Sequence, residues 1–345
     1  MTREINRMAV VGAGVMGTGI AQIAAQAGIR VTLFDSREGA AQGARESLKG
    51  TLDKLVDKGK IANADALATL SRVQVASALT ELSDVDLVVE AIIERLDAKQ
   101  GLLAELEAVV ADDCILATNT SSLSVTSIAR NCRLPQRIAG FHFFNPVPLM
   151  KIVEVINGVQ TSSHAIETLT AVAKRSGHEP VRAKDTPGFL VNHAGRGLNT
   201  EGIRIISEGI TNFSGVDDLL REGGPEFRLG PFELMDITGL DVSQPVMESI
   251  YRQFYEEPRF RPGPLMRQRI AAGLFGRKSG QGFYLYDKNT KVTEPPVEVP
   301  KTLPKSKIVK NEETSQIEFQ SNIEETLKEK LVLPKNKPII SDFLK

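Results

Sequence analysis

Met8-Ala-Val-Val-Gly-Ala-Gly-Val-Met-Gly-Thr-Gly-Ile-Ala21 is the stretch on which the fold turns. Its first four residues are continuously apolar, as in a buried strand, and the chain then passes straight into an apolar-periodic helix. Gly12, Gly14 and Gly17 form G-x-G-x-x-G across the junction. Gly12 allows the tight turn, Gly14 lets a pyrophosphate approach the backbone, and Gly17 lets the helix pack on the strand. The phosphate then sits on the free N–H groups and positive dipole of the helix N-terminus. Val31 to Asp35 reads as the next strand and ends in an acid 23 residues after Gly12, where a ribose-binding carboxylate belongs. Strand, glycine turn, helix, strand and acid in this order predict a dinucleotide-binding α/β domain. Asp35 would repel a 2′-phosphate, so the expected cofactor is NAD. Arg37 stacks on the adenine in one reading and is simply solvated in the other.

Further along, residues 36 to 70 read as two helices broken near Lys58-Gly59-Lys60. The first 288 residues hold ten lysines among 32 basic residues, and four of the ten (Lys49, Lys54, Lys58, Lys60) fall in this segment. Lys54 and Lys58 are spaced i,i+4 and share a helix face, which is either a solvated surface or a site for substrate phosphates. Strands at 73–77, 86–91 and 114–119 continue the alternation, with a helix from about Arg95 to Ala111. Glu90 and Glu94 fall at the C-terminal end of a parallel strand and the loop after it, where open α/β sheets bind ligands. Hydroxyls at Ser121 and Ser122 are candidates to cap a helix starting near Ser124.

Arg137 to Asn157, RIAGFHFFNPVPLMKIVEVIN, reads as two β segments joined by the turn Asn145-Pro-Val-Pro148. His142 ends the first segment and Glu154 sits within the second, between Ile152, Val153, Val155 and Ile156. Burying a carboxylate there unpaired costs several kcal/mol, and an imidazole across the turn is a partner that would make a general base. On spacing alone the alternative stands: a core His on a backbone carbonyl and a Glu on an unrelated Arg. A helix over 162–176 and a strand over 179–184 close the sheet.

Asp185-Thr-Pro-Gly-Phe189 reads as a domain boundary. Long helices follow without strand alternation, one from about Phe189 to Gly209 with Asn192 in its first turn. Another starts at Gly230-Pro231, a proline-initiated helix, and runs to about Tyr255. Residues 289–345 differ in composition: no Gly, Ala or Arg, ten Lys, and six of the chain's 17 prolines. Glu294 to Pro304 reads as an extended linker. Asn322 to Leu331 reads as a short amphipathic helix suited to docking, within a segment (305–345) that is a candidate contact for a protein partner. The expected domains are 1–186, 187–288 and the 289–345 tail.

With 345 residues, 41% apolar and 25% charged, the chain has room for two domains and a sizeable core. A net charge of −1 gives no case for nucleic acid or an anionic membrane surface. Cys114 and Cys132 form no framework and, with the four scattered histidines, no metal spacing, so no metal is expected. The start of the chain leads directly into a strand and no apolar run approaches membrane-spanning length, which points to a cytoplasmic protein.

From Met8 to about Asp287 the chain resembles the 3-hydroxyacyl-CoA dehydrogenases. The resemblance rests on the glycine fingerprint, Asn119-Thr-Ser-Ser-Leu123, His142-Phe-Phe-Asn-Pro146, Lys151 to Glu154, Pro187-Gly-Phe-Leu-Val-Asn192 and Gly230-Pro-Phe-Glu-Leu234. The steps from Ser121 to His142 (21 residues) and from His142 to Asn192 (50 residues) fit the family pattern. It implies a Rossmann-like N-terminal domain followed by an all-α C-terminal domain like that of 6-phosphogluconate dehydrogenase, a homodimer, and fatty acid β-oxidation chemistry on an acyl-CoA thioester. It also implies that His142 is the general base and Glu154 its orienting partner. Ser121 and Asn192 would bind the substrate or the reacting oxygen, and Asn145 would lie beside the nicotinamide. Asp35, Glu94, Lys99, Asn119 and Lys278 would lie on the cofactor side, and Lys54 and Lys58 near the CoA phosphates. One departure is His193-Ala-Gly-Arg-Gly-Leu198, with two glycines where shorter family members are more apolar. Three other readings stay open: a dehydrogenase of a non-CoA hydroxy acid such as a sugar acid, a retired dehydrogenase kept as a binding protein, and an active one tethered by its tail to an assembly.

Overall fold

The structure, a computed structural model, describes residues 4–223, 227–288, 290–293, 307–310 and 317–320. The chain falls into two compact units, Met1–Glu294 and Pro295–Lys345.

The first unit opens with β1 (Arg7–Val11), α1 (Val15–Gln26) and β2 (Arg30–Phe34). Helices α2 (Ala40–Asp57) and α3 (Asn63–Ser71) follow, with the expected break between them, and lead to β3 (Val73–Val75). The alternation continues through β4 (Leu87–Glu90), α4 (Leu96–Val109), β5 (Ile115–Thr118), α5 (Val125–Ile128) and β6 (Ile138–Phe143). It ends with β7 (Ile152–Asn157), α6 (Ser163–Arg175) and β8 (Glu179–Lys184). The strands form one sheet in the order β3-β2-β1-β4-β5-β6-β7-β8. All neighbours are parallel except β6 and β7. Both faces are covered by helices, so β4, β5 and β6 are buried along their whole length, as their largely apolar runs require, with Glu90, Thr118 and His142 the polar exceptions. Strand order reverses direction at β1 and β4, and the crevice beyond their C-terminal ends is where such sheets receive ligands.

Among the described residues five α-helices make the second part of this unit: α7 (Val191–Ser207), α8 (Phe213–Glu222), α9 (Pro231–Thr238), α10 (Leu240–Gln253) and α11 (Pro264–Ala271). The single helix expected from Gly230 to Tyr255 is therefore two. Gly239 sits at φ +93°, a conformation that costs an L side chain dearly, and breaks the ladder between α9 and α10. Phe213, Phe232 and Phe283 form the centre, with ring centroids 4.7–5.1 Å apart. The chain then enters β9 (Leu285–Asp287), paired antiparallel with β10 (Thr290–Thr293). Thr290–Thr293 thus forms a strand inside the stretch expected to be tail. Lys291 fastens it, reaching Glu233 at 3.4 Å and lying 4.5 Å from the Tyr284 ring centroid.

Two carboxylates lie inside the helical part. Asp217 accepts from Phe232 N, Glu233 N and the Tyr284 hydroxyl, and Asp236 accepts from Phe283 N, Tyr284 N and the Tyr286 hydroxyl. Burial pushes both carboxyls above their ordinary 3.8 in spite of these donors. A carboxyl with a raised folded-state pKa favours the fold when protonated, and that contribution is lost as pH rises through the folded pKa. Relative to Asp236→Asn, which does not titrate, the wild type should therefore gain stability as pH falls from neutral toward 3.8. Paired thermal melts across that window measure the gap, and a gap independent of pH would contradict the assignment.

In the second unit the described strands β11 (Lys307–Lys310) and β12 (Ile317–Gln320) pair antiparallel. The linker read at 294–304 and the docking helix read at 322–331 lie outside the described residues. Among the described residues no helix is long and apolar enough to cross a membrane, and no group of His, Cys, Asp or Glu is arranged to hold a metal ion.

Candidate active site

His142 and Glu154 face each other in register across the antiparallel pair β6 and β7. His142 Nδ1 lies 2.7 Å from Glu154 Oε2. The other carboxylate oxygen accepts from the backbone N–H groups of Leu190 and Val191, both at 2.9 Å. Those are unsatisfied donors at the start of α7, so Glu154 also serves as the cap that this helix lacks on its own N-terminal residue. Glu154 is fully buried and His142 nearly so. A carboxylate on Nδ1 fixes the proton there and leaves Nε2 unprotonated, the tautomer a base requires. Phe144 and Phe189 flank the imidazole with centroids 4.5 and 5.9 Å away, which restricts its rotation.

At the other side of the crevice the glycine loop has the shape a dinucleotide needs. A Cβ on Gly12, at φ +105°, would meet the Ala91 carbonyl oxygen at 2.5 Å, and one on Gly17 would meet the Gly12 oxygen at 1.8 Å. A Cβ on Gly14 would meet nothing within 4 Å, and α1 begins there without a side-chain cap. That is open space at the N–H end of a helix, the place for a pyrophosphate. Asp35, at the end of β2, accepts from Ala13 N at 2.8 Å and from Arg37 N at 2.9 Å. Partial burial works to raise its pKa, but Arg37 and these N–H groups outweigh it and leave the carboxyl lowered, hence ionised. The exposed Arg37 guanidinium pairs with Asp35 at 3.0 Å. The residues present fit NAD.

Between these two sides lies a buried charge network. Glu90, at the end of β4, accepts from Lys99 Nζ (2.6 Å), Thr118 Oγ1 (2.7 Å) and Ile92 N (2.7 Å). Lys99 is wholly buried and also lies 3.4 Å from Glu94. Glu94 in turn accepts from Thr120 Oγ1, Ser121 N, Ser122 N and Ser122 Oγ. Burial opposes its charge, but Lys99 and these donors leave its carboxyl lowered. The loop carrying Ser121 is thus tied, through Glu94 and Lys99, to a carboxylate inside the sheet. Asn119, at the end of β5, accepts from Phe143 N at 2.9 Å and so fastens that same loop beside His142.

Two family models together match most of the first unit. Residues 7–186 match the 3-hydroxyacyl-CoA dehydrogenase NAD-binding domain, and residues 188–286 match the 3-hydroxyacyl-CoA dehydrogenase C-terminal domain. The chain belongs to the 3-hydroxyacyl-CoA dehydrogenase family. It is an NAD-dependent oxidoreductase, as that first domain requires. It is 38% identical over 284 residues to the 3-hydroxyadipyl-CoA dehydrogenase of Escherichia coli, which covers 82% of this chain and 60% of that protein. To the 3-hydroxybutyryl-CoA dehydrogenase of Clostridioides difficile it is 37% identical over 282 residues, covering 82% of this chain and 100% of the relative. The crystal structure of (S)-3-hydroxybutyryl-CoA dehydrogenase from Ralstonia eutropha superposes with a TM-score of 0.78 at 37% identity, covering 83% of this chain and 100% of that one.

In this 3-hydroxyacyl-CoA dehydrogenase the remaining predicted residues fall as follows. Ser121 follows the Asn119 anchor and Asn192 follows the Val191 N–H bonded to Glu154, so both flank the dyad in the chain. Asn145 is exposed in the loop after β6. Lys54 and Lys58 are exposed, and Lys58 is the residue that ends α2 rather than part of its interior. Lys278 pairs with Asp241 at 2.6 Å, within the helical part. The helix at Ser124 is capped by Ser124 itself, whose hydroxyl accepts from Ser127 N, and not by Ser121 or Ser122. Asp185 has a site role that sequence reading missed: it accepts from Ser124 Oγ, Val125 N and Thr126 N, closing the far end of the serine loop. Its position just before Thr-Pro-Gly suggested only a boundary.

Proposed function

We propose that the chain interconverts (3S)-3-hydroxyacyl-CoA and 3-oxoacyl-CoA, with His142 as general base oriented by Glu154. The observation that carries this reading is the 2.7 Å contact from His142 Nδ1 to a carboxylate whose other oxygen is already taken by two backbone N–H groups. NAD, when bound, supplies the hydride acceptor for C3 of the substrate. His142 Nε2 takes the proton of the 3-hydroxyl as the hydride leaves C3, and Glu154 stabilises the imidazolium that forms. In the reverse direction His142 returns that proton to the developing alkoxide. Ser121 and Asn192 orient the 3-oxygen or the thioester. Gly12, Gly14, Gly17, Asp35, Glu94, Lys99, Asn119, Asn145 and Lys278 form the cofactor side, and exposed Lys54 and Lys58 meet the CoA phosphates.

We assign residues 1–186 to the NAD domain and 187–288 to a substrate and dimerisation domain. Exposed Ile210, Leu219, Leu234, Ile237 and Val242 in the helical part support a homodimer, which the mass in solution reads directly. A cytoplasmic location rests on the two free cysteines, one buried and one half-buried.

The experiment is to follow NADH oxidation with acetoacetyl-CoA beside free acetoacetate. Turnover of the thioester alone, yielding the (3S) alcohol, is the expected result. Equal turnover of the free acid would favour a hydroxy-acid dehydrogenase instead.

A further inference from the structure

α7 carries a charge for which the reaction above has no use. Arg196 lies four residues after Asn192, one turn on along the same face. Its Nε is buried with no hydrogen-bond partner among the described residues. Burial alone acts on the guanidinium and pulls its pKa down to about 10, with no anion opposing the shift. Its Nη1 meets the Asn199 amide, which in the orientation that satisfies it accepts at 3.1 Å. One turn back, His193 Nδ1 is also buried and without a hydrogen-bond partner among the described residues. Its ring packs on Phe254 and Phe260, with centroids 5.3 and 5.0 Å away. Arg196 is half-buried, and a guanidinium drawn this far out of water with no counter-charge on it is costly.

Two helix glycines lie beside it. A Cβ on Gly195 would meet nothing within 4 Å, and one on Gly197 only Phe260 Cε1 at 3.9 Å. Packing therefore does not require glycine at either position, although each weakens the helix relative to alanine. They leave space on both sides of Arg196. A second copy of the chain is not the natural occupant, because the outward face of α7 is Ala194, Leu198 and Glu201, all exposed. Arg196 lies on the opposite face, beside buried Asn199 and Ile203 and in line with Asn192.

We propose that Arg196, with His193 beside it, receives a carboxylate at the far end of the acyl chain. The preferred substrates are then CoA thioesters of dicarboxylic 3-oxo and 3-hydroxy acids. This rests on the reading of the site as a 3-hydroxyacyl-CoA dehydrogenase with Asn192 at the substrate. Four residues of helix span about 6 Å, so a carboxylate a few carbons beyond C3 is within reach of the arginine fork, which suits a carboxylate in two-point contact.

The test compares kcat/KM for 3-oxoadipyl-CoA with that for 3-oxohexanoyl-CoA, which has the same length and no terminal charge. The wild type is expected to favour the charged substrate about 10- to 100-fold, the range of a hydrogen-bonded charge. Arg196→Met should abolish that ratio, and Arg196→Lys should retain part of it. A merely structural Arg196 would lower both rates together and leave the ratio alone, which overturns the proposal. So does a wild-type ratio near one, a result that stands even where Arg196→Met fails to fold. If the wild type reduces neither substrate nor acetoacetyl-CoA, it is the underlying assignment of the reaction that fails.

Discussion

Replacing His142 with glutamine is expected to lower kcat for a 3-oxoacyl-CoA by about 10²- to 10⁴-fold, the usual contribution of a positioned acid–base group. Glutamine approximates the imidazole in size and still donates to a carboxylate, so β6, β7 and the N-terminus of α7 keep their contacts. What it lacks is an atom that exchanges a proton near neutral pH. NADH binding, followed by the nicotinamide fluorescence, should persist, because the glycine loop and Asp35 lie on the other side of the crevice. A loss under tenfold with NADH still bound would place the proton transfer on another group.

The second large effect concerns stability. Glu90→Ala should cost about 3–5 kcal/mol, the range for removing one partner of a buried ion pair. Lys99 has no exposed surface, and Glu94 at 3.4 Å is its only other carboxylate within salt-bridge distance among the described residues. Thr118 Oγ1 and Ile92 N lose their acceptor as well. Because an apolar pair of similar volume restores packing without a stranded Lys99, Glu90→Leu combined with Lys99→Met should recover part of the loss, leaving the cost of the Thr118 and Ile92 donors. Urea unfolding of the three proteins measures this. A single variant within 1 kcal/mol of the wild type would contradict the network. The double variant is also informative about the site, since Glu94 and the Ser121 loop would then lack Lys99.

Residues whose position is set by local pattern were legible before any coordinates. Gly12, Gly14 and Gly17 between a buried strand and a helix, with Asp35 on the next strand, define the crevice through backbone geometry alone. Glu154 was conspicuous because a charge in an apolar β segment demands a partner, but spacing left that partner open; the family resemblance named His142, and the β6–β7 register sets it opposite. What stayed hidden depends on distant chain segments meeting. The second oxygen of Glu154 binds N–H groups 36 and 37 residues away. Asp185 reaches the serine loop across some 60 residues. The break at Gly239 was missed because the apolar spacing continues through it and only the positive φ interrupts the helix. The Arg37 pairing with Asp35 was not read either, because whether a side chain turns onto the carboxylate two residues before it is a matter of rotamer, not of pattern. The two glycines beside Arg196 stood out in the sequence, but Arg196 itself did not, since what sets it apart is the lack of an anion on it among the described residues.

The most direct test of the central claim is the initial rate of NADH oxidation with acetoacetyl-CoA, wild type beside His142→Gln, both saturated with NADH. Rapid oxidation by the wild type, reduced by two to four orders of magnitude in the variant, is the predicted result. Equal rates in the two proteins would contradict His142 as the base. A wild type that binds NADH yet reduces no 3-oxoacyl-CoA of any length would contradict the reaction itself.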